Sequence, residues 1–166
     1  KNVSRETIRG ETMLEQILKE MKNYFYLFKE INNISIKENK LTVKGKYLEG
    51  QYIRIIGSIF NDGIHKIIKV DNNVIELENL TNEDFKGTIC SLAIPNEIIL
   101  LSKEIEEFNS KNSNKPSSYQ AESFSNYSYA KATNKRGMPV TWIDVYFNRL
   151  KPYKKMFDNL GYVKEV

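Results

Sequence analysis

Apolar positions along this chain change period twice. Leu14, Leu18, Met21, Phe25 and Phe28 recur at spacings of 4, 3, 4 and 3, which puts all five on one face of a helix. Thr12, Glu15, Lys19, Glu20 and Lys22 fall elsewhere, as a solvated face should, and Asn32-Asn33 ends the run. The spacing predicts a helix over about 12–31. The period then drops to two. Ile34 and Ile36, then Leu41 and Val43, alternate around Lys-Glu-Asn-Lys, the pattern of a short hairpin. Tyr52 to Ile56 is rich in β-formers, and Asn61-Asp62-Gly63 is a turn signal because these residues tolerate positive φ. Ile64 to Val70 reads as a strand with Ile64, Ile68 and Val70 on one face and His65 and Ile67 on the other. Asp71-Asn72-Asn73 turns into Val74 to Leu77, and Thr88 to Ile94 is a last strand.

Pro95 opens a second helix, a position where its missing donor costs nothing. Ile98, Leu101, Ile105 and Phe108 give that helix one apolar face over 95–110, and NSKNSNKPSS breaks it. The segment that follows is crowded with Ser, Asn, Tyr and Lys, with no periodic pattern until Thr141 and Asp144 make a capping-box-like start. Trp142, Tyr146, Leu150 and Tyr153 then share a helical face, which Pro152 interrupts. The expected fold class is α+β. A helical body (1–110, helices at about 12–31 and 95–110) carries an inserted small antiparallel β-sheet or partial barrel at about 34–94. A long extended C-terminal tail, 111–166, ends in an amphipathic helix.

Charge sharpens the division between body and tail. Residues 1–110 hold 15 Lys+Arg against 17 Asp+Glu, whereas 111–166 hold 10 against 4. A basic tail suits nucleic acid, an anionic membrane or an acidic protein surface, and charge alone does not choose among them. Ten Tyr and eight Phe against one Trp suit surfaces that are wet in one state and buried in another, since Tyr has an apolar body and a polar tip. No apolar run reaches the length of a membrane span.

Chemistry is sparse. Cys90 and His65 are the single cysteine and histidine, too few for a disulfide or a usual zinc site. A lone strand histidine is a structural residue rather than a base without partners, and Asp62 in a turn caps backbone. Glu104, Glu106 and Glu107 read as a solvated helix face. No phosphate loop or dinucleotide fingerprint is present, and no cofactor is expected. Tyr127, Tyr129, Lys131, Lys135 and Arg136 interleave aromatics with cations as single-strand binders do. The segment SNYSYAKA is equally suited to adding as a strand to a neighbour's sheet edge, with Trp142 in the following helix as a second anchor.

Taken in order, GQYIRIIGSIFNDGIHKI, a helix, AESFSNYSYAKA and TWIDVYFNRLKPYKKMF resemble the head–tail connector (adaptor) proteins of tailed bacteriophages infecting Gram-positive bacteria. The matching positions are Asn61, Asp62 and Gly63; Glu122 and Ser123; Tyr127 and Ser128; and Trp142, Leu150, Tyr153, Lys154, Lys155 and Met156. Ser125-Asn126 replaces the Gly-Asp expected before the Tyr-Ser pair. The resemblance implies a structural, non-enzymatic neck protein in the virion. It would form a ring, commonly of twelve copies, beneath the portal, extend the DNA channel, and receive a tail-terminator or head-completion protein. It implies that Tyr127, Ser128, Tyr129, Trp142, Tyr146, Arg149, Tyr153, Lys154 and Lys155 meet the portal protein and neighbouring copies. The alternative is a small barrel-containing protein that binds single-stranded nucleic acid.

Overall fold

The computed structural model describes residues 11–113, 121–124, 127–130, 140–155 and 164–165, the side chains being described over 11–111 and 140–155. The element order is α1 (Met13–Glu20), β1 (Tyr26–Lys37), β2 (Lys40–Thr42), β3 (Tyr52–Ile56), β4 (Gly63–Asp71), β5 (Val74–Leu77), β6 (Glu83–Leu92) and α2 (Asn96–Ser113). After these come β7 (Ala121–Phe124), β8 (Tyr127–Ala130), α3 (Trp142–Leu150), a 3-10 turn (Lys151–Tyr153) and β9 (Lys164–Glu165). Strands run β2-β5-β4-β3-β6-β1, and β1 pairs back onto β2. That last pairing closes a six-stranded antiparallel barrel. The expected helical body with a small inserted sheet is therefore overturned: the barrel is the body, and three short helices coat it.

The error lies in the first helix. Thr12 caps α1 with a reciprocal capping box to Glu15, but the helix ends at Glu20 rather than near 31. Lys22 and Phe25 take positive φ, 52° and 54°, and the chain leaves as β1. Phe25 and Phe28 fit a helical period by coincidence, while the aromatic and β-branched run they belong to favours a pleated, half-buried strand. Beyond Tyr26, side chains alternate, with Glu30, Ile34 and Ile36 buried and Ile31, Asn33, Ser35 and Lys37 exposed. The predicted hairpin turn is present, with Glu38 and Asn39 both at positive φ, as a two-residue I′-type connection requires.

Two apolar clusters follow from this geometry. Ile34, Ile36, Leu41, Val43, Tyr47, Ile53, Ile55, Ile67, Ile75, Leu77 and Ile89 fill the barrel interior. On the outer wall, Ile64, Cys90 and Leu92 pack beneath Met13, Leu14, Ile17 and Leu18 of α1, Ile98, Leu101 and Ile105 of α2, and Tyr146 and Leu150 of α3. Burial along β6 changes where the helices cover it. Its first half has one partly solvated face, and Ile89, Cys90, Ser91 and Leu92 are buried on both. β4 departs from the expected faces because a bulge between Ile67 and Lys69 shifts register. Val70 joins Ile67 inside, and Ile68 is left exposed.

One charged side chain lies inside the barrel. Glu30 is fully buried and accepts from the Lys44 and Gly45 amides, each at 2.8 Å, and from the Tyr47 hydroxyl at 2.8 Å. It ties the segment after β2 to β1 where the two no longer share a ladder. A Cβ on Gly45 would stand 2.5 Å from the Phe28 ring, so glycine is what lets that segment approach. Burial, then the Glu30 bond, push the Tyr47 phenol well above its usual range.

Candidate functional site

Three loops meet at one end of the barrel: the β1–β2 turn, the loop 57–62 between β3 and β4, and the loop 78–82 between β5 and β6. Asparagines cross-tie them. The Asn39 side chain accepts from the Leu80 amide at 2.8 Å, and Asn82 accepts from the Glu38 amide at 2.9 Å. Asn61 is buried; its amide group accepts from Thr81 N at 2.8 Å and donates to Thr81 O at 2.9 Å. Its own carbonyl receives the His65 ring Nε2 at 2.9 Å.

The centre of the rim is Glu83, at the start of β6. Its carboxylate accepts from the Ser58 hydroxyl, from Ile59 N at 2.9 Å, from Phe60 N at 3.4 Å and from Asn61 Nδ2 at 3.0 Å. Ser58 Oγ accepts from Asn61 N at 2.6 Å, and Asp62 accepts from Gly57 N at 3.0 Å. Burial alone would raise the pKa of Glu83, but the Ser58, Ile59, Phe60 and Asn61 donors outweigh it and hold the carboxyl below its ordinary value. Glu15 of α1 accepts from Ile64 N at 2.8 Å and fastens the other end of the loop to the helical layer. Gly57 and Gly63 supply the positive φ values, 93° and 130°, at the loop boundaries.

The outcome is a loop whose Gly57, Ile59, Phe60 and Asn61 amides are held by side chains of the rim, with two large apolar side chains in water. Ile59 is 77% exposed and Phe60 50%. Isolated exposed apolar residues are ordinary. Two adjacent ones on a loop fixed by a buried Asn and a carboxylate are preorganised, and preorganisation lowers the cost of binding. An apolar pair inside a polar rim is also the anatomy of a protein-interface anchor.

The residues expected to act from the tail are distributed differently. Tyr127, Ser128 and Tyr129 lie in β8, which pairs with β7 as a separate two-stranded sheet: Glu122 opposes Tyr129, Ser123 opposes Ser128, and Phe124 opposes Tyr127. Trp142, Tyr146, Arg149, Tyr153 and Lys154 face this chain's own body. Tyr146 is buried edge-on against Phe108, and Arg149 donates to both carboxylate oxygens of Glu104 at 3.0 and 2.8 Å. Tyr153 donates to Glu97 at 2.6 Å, Lys154 to Glu20 at 3.2 Å, and the Lys155 amide to Met21 O at 2.9 Å. Lys131, Lys135, Arg136 and Met156 lie outside the described residues.

Among the described residues no three His, Cys, Asp or Glu side chains converge. A cleft of about 300 Å³ between α1, α2 and β4 includes Thr12, Tyr52, Lys66 and Ser102, and another of about 270 Å³ beside the loop includes Glu11, Lys19, Arg54 and Asp62. The first cleft also includes His65, Glu78 and Glu106, and the second Glu15. Arg54 lies 3.9 Å over the Tyr24 ring and donates to Tyr26, so it fixes the linker between α1 and β1 to the wall. Asp62 acts as its turn position predicted. Glu104, Glu106 and Glu107 are an exposed helix face, with Glu104 paired to Arg149 and Glu107 to Lys111.

Sequence reasoning missed Ile59, Phe60, Ser58 and Glu83. The available signal was Ile-Phe inside a Gly-Ser…Asn-Asp-Gly turn cluster, where solvation calls for polar residues. No helix among the described residues is long and apolar enough to cross a membrane. No protein-family model matches this chain, and no curated protein matches it significantly.

Proposed function

We propose that this chain is a non-enzymatic structural protein of a tailed-phage neck, a head–tail connector that docks onto the portal and onto neighbouring copies in a ring. The observation that carries the proposal is the fixed loop 57–62, which holds Ile59 and Phe60 in solvent from a frame of Ser58, Asn61 and Glu83. The Asn61-Asp62-Gly63 element that bears the resemblance is the same one that builds this frame. An apolar pair on a loop held by side-chain hydrogen bonds suits docking against another protein surface. In this reading the ring lies at the neck of the virion, passes DNA without reading its sequence, and receives a tail-terminator or head-completion protein.

The test is particle composition. Quantitative mass spectrometry of purified phage should find this chain near one copy per portal subunit, and antibody labelling should mark the neck. A chain with Ile59→Ser and Phe60→Ser should fold normally and fail to join particles. Absence of the wild-type chain from particles overturns the neck reading; entry of the double variant at wild-type stoichiometry overturns the role of the loop.

The closed barrel itself favours a second reading, because small barrels also bind single strands. Over 11–111 and 140–155, where side chains are described, Phe60 and Phe147 are the exposed aromatic ones, however. The outward Lys69 of β4 pairs with Glu76, Lys66 shares a cleft with Glu78 and Glu106, and Lys86 of β6 lies two residues from Asp84, which intersperses acidic groups among these cations. A nucleic-acid binder should bind oligonucleotides with an affinity that falls linearly with salt on logarithmic axes and should weaken when Lys131, Lys135 and Arg136 are removed.

A further inference from the structure

The connections that bear Ile59 and Phe60 have charge of one sign. This end of the barrel is made by residues 38–39, 57–62 and 78–82, with Glu83 at the start of β6. Its charged residues are Glu38, Asp62, Glu78 and Glu83, and these connections contain no lysine or arginine. Glu83 accepts from the Ile59 and Phe60 amides, so one carboxylate sits at the base of the apolar pair, and its donors favour the ionised form. Asn82 holds the Glu38 amide and Asn61 holds Thr81, so the connections share one cross-tied frame. Glu38, Asp62 and Glu78 are exposed. Cations around this end stand on strands. Lys37 ends β1, Lys40 opposes Glu76 in the β2–β5 ladder, and Lys66 and Arg54 line clefts with Glu78 and Asp62. Among the described residues none of them forms an ion pair with the four carboxylates.

We propose that Ile59 and Phe60 enter an apolar pocket on a different protein, and that lysine or arginine side chains border this pocket opposite Glu38 and Glu78. The inference rests on the docking role proposed for the loop and names the face that the loop meets. Apolar anchors supply the affinity of such a contact, while charges at its border steer encounter and reject wrong partners. The Gly57, Ile59, Phe60 and Asn61 amides are already bound by Asp62, Glu83 and Ser58. The partner therefore has to offer apolar surface and cations rather than acceptors for that backbone. Nucleic acid does not fit this end, because its phosphates would face carboxylates. A second copy presenting the same end would set carboxylate against carboxylate. The basic C-terminal segment of this chain fits less well than a separate protein, since its described Arg149 and Lys154 are already paired with Glu104 and Glu20.

The test uses purified full-length chain and, as the probe, nuclease-treated phage heads from a producing strain that lacks this chain, with binding read by co-sedimentation. Wild type should bind the heads, and its affinity should fall by about tenfold or more between roughly 0.05 and 0.5 M salt. Glu38→Lys combined with Glu78→Lys should weaken binding by about tenfold or more. Glu38→Gln combined with Glu78→Gln should weaken it in the same direction by less. Glu107→Lys, on the exposed face of α2, should bind as wild type does. Glu38 and Glu78 are exposed and their side chains lie outside the bonds that hold the loop, so the thermal midpoint should not move. The glutamine pair, which keeps side-chain size, carries the test if the lysine pair does not fold. Wild-type chain that fails to bind heads overturns the neck reading, and this inference with it. Heads that bind wild type and both charge variants equally, or that bind the lysine pair better, overturn this inference alone. So does binding that is indifferent to salt, or self-association of the full-length chain that the lysine pair abolishes.

Discussion

Removing the Glu83 carboxylate is the sharpest test of the loop frame. Glu83→Ala deletes the acceptor for the Ser58 hydroxyl, Ile59 N and Asn61 Nδ2 and for the longer Phe60 contact, leaving four donors without that partner. A hydrogen bond to a charged group contributes about 1.5–3 kcal/mol when sheltered; the partial exposure here argues for about 1 kcal/mol for each of the three shorter ones, hence ~3 kcal/mol in total. For a chain of this length that corresponds to a fall of about 6–12 °C in thermal midpoint. Glu83→Gln keeps the shape but turns one oxygen into a donor. With the amide oxygen kept where Ser58, Phe60 and Asn61 donate, that donor opposes Ile59 N, so roughly a third of the loss should remain. Differential scanning calorimetry measures the midpoint, and hydrogen exchange should show the Ile59 and Phe60 amides accelerating by on the order of tenfold or more if local opening becomes ~1.4 kcal/mol easier. Protonation should act in the same direction. The folded-state pKa of Glu83 is depressed below its ordinary 4.5. Its contribution is therefore present above pH 4.5 and is lost as pH falls from there through the folded value. An Ala variant with wild-type midpoint and unchanged exchange at Ile59 and Phe60 would refute the account of the loop as a carboxylate-held structure.

Four further outcomes follow from the packing. Gly45→Ala should cost about 1–3 kcal/mol in urea unfolding, because its Cβ would meet the Phe28 ring at 2.5 Å and Glu30 at 3.0 Å; a neutral effect would mean the segment after β2 is loose. Tyr47→Phe should cost about 1–2 kcal/mol. It should also remove one source of alkaline destabilisation: the raised pKa of Tyr47 makes its stabilisation complete below the usual phenol value of 10 and lost as pH climbs above it. Glu104→Ala should change stability by less than about 1 kcal/mol, since the Arg149 and Glu104 side chains are 47% and 49% exposed, and a thermal scan would reveal anything larger. Ending the chain after Ser113 should leave the barrel folded by circular dichroism but lower its stability by about 3–6 kcal/mol, because Tyr146 and Leu150 cover the α1–α2 cluster.

The last of these differs from the sequence reading in a way that explains the rest. Periodicity located α2, the strands at 52–56 and 74–77 and the turn at Asn61-Asp62-Gly63, because those signals are local. Closure is not local. It depends on β1 running twelve residues, and that strand is hard to see because Lys29, Glu30, Asn32 and Asn33 interrupt its apolar alternation. Glu30 belongs inside only because Lys44, Gly45 and Tyr47 converge on it from fourteen to seventeen positions away. Glu83 is equally opaque, since its partners lie 22 to 25 residues earlier. The tail helix was legible as amphipathic, but an apolar face does not name its partner. The α1–α2 cluster supplies one within this chain, and Glu20, Glu97 and Glu104 take up the polar groups around it.

How the helices sit on the barrel determines which surfaces remain for partners. α1, α2 and α3 cover the outer wall around Ile64, Cys90 and Leu92, so that wall is committed to internal packing. Among the described side chains, Ile59 and Phe60 at the loop rim of the barrel end stay open. If the chain docks end-on against a partner, that rim rather than the helix-covered wall meets it, so the Ile59→Ser and Phe60→Ser changes should weaken docking and leave the thermal midpoint unchanged; a lowered midpoint would mean that the two side chains serve the fold instead.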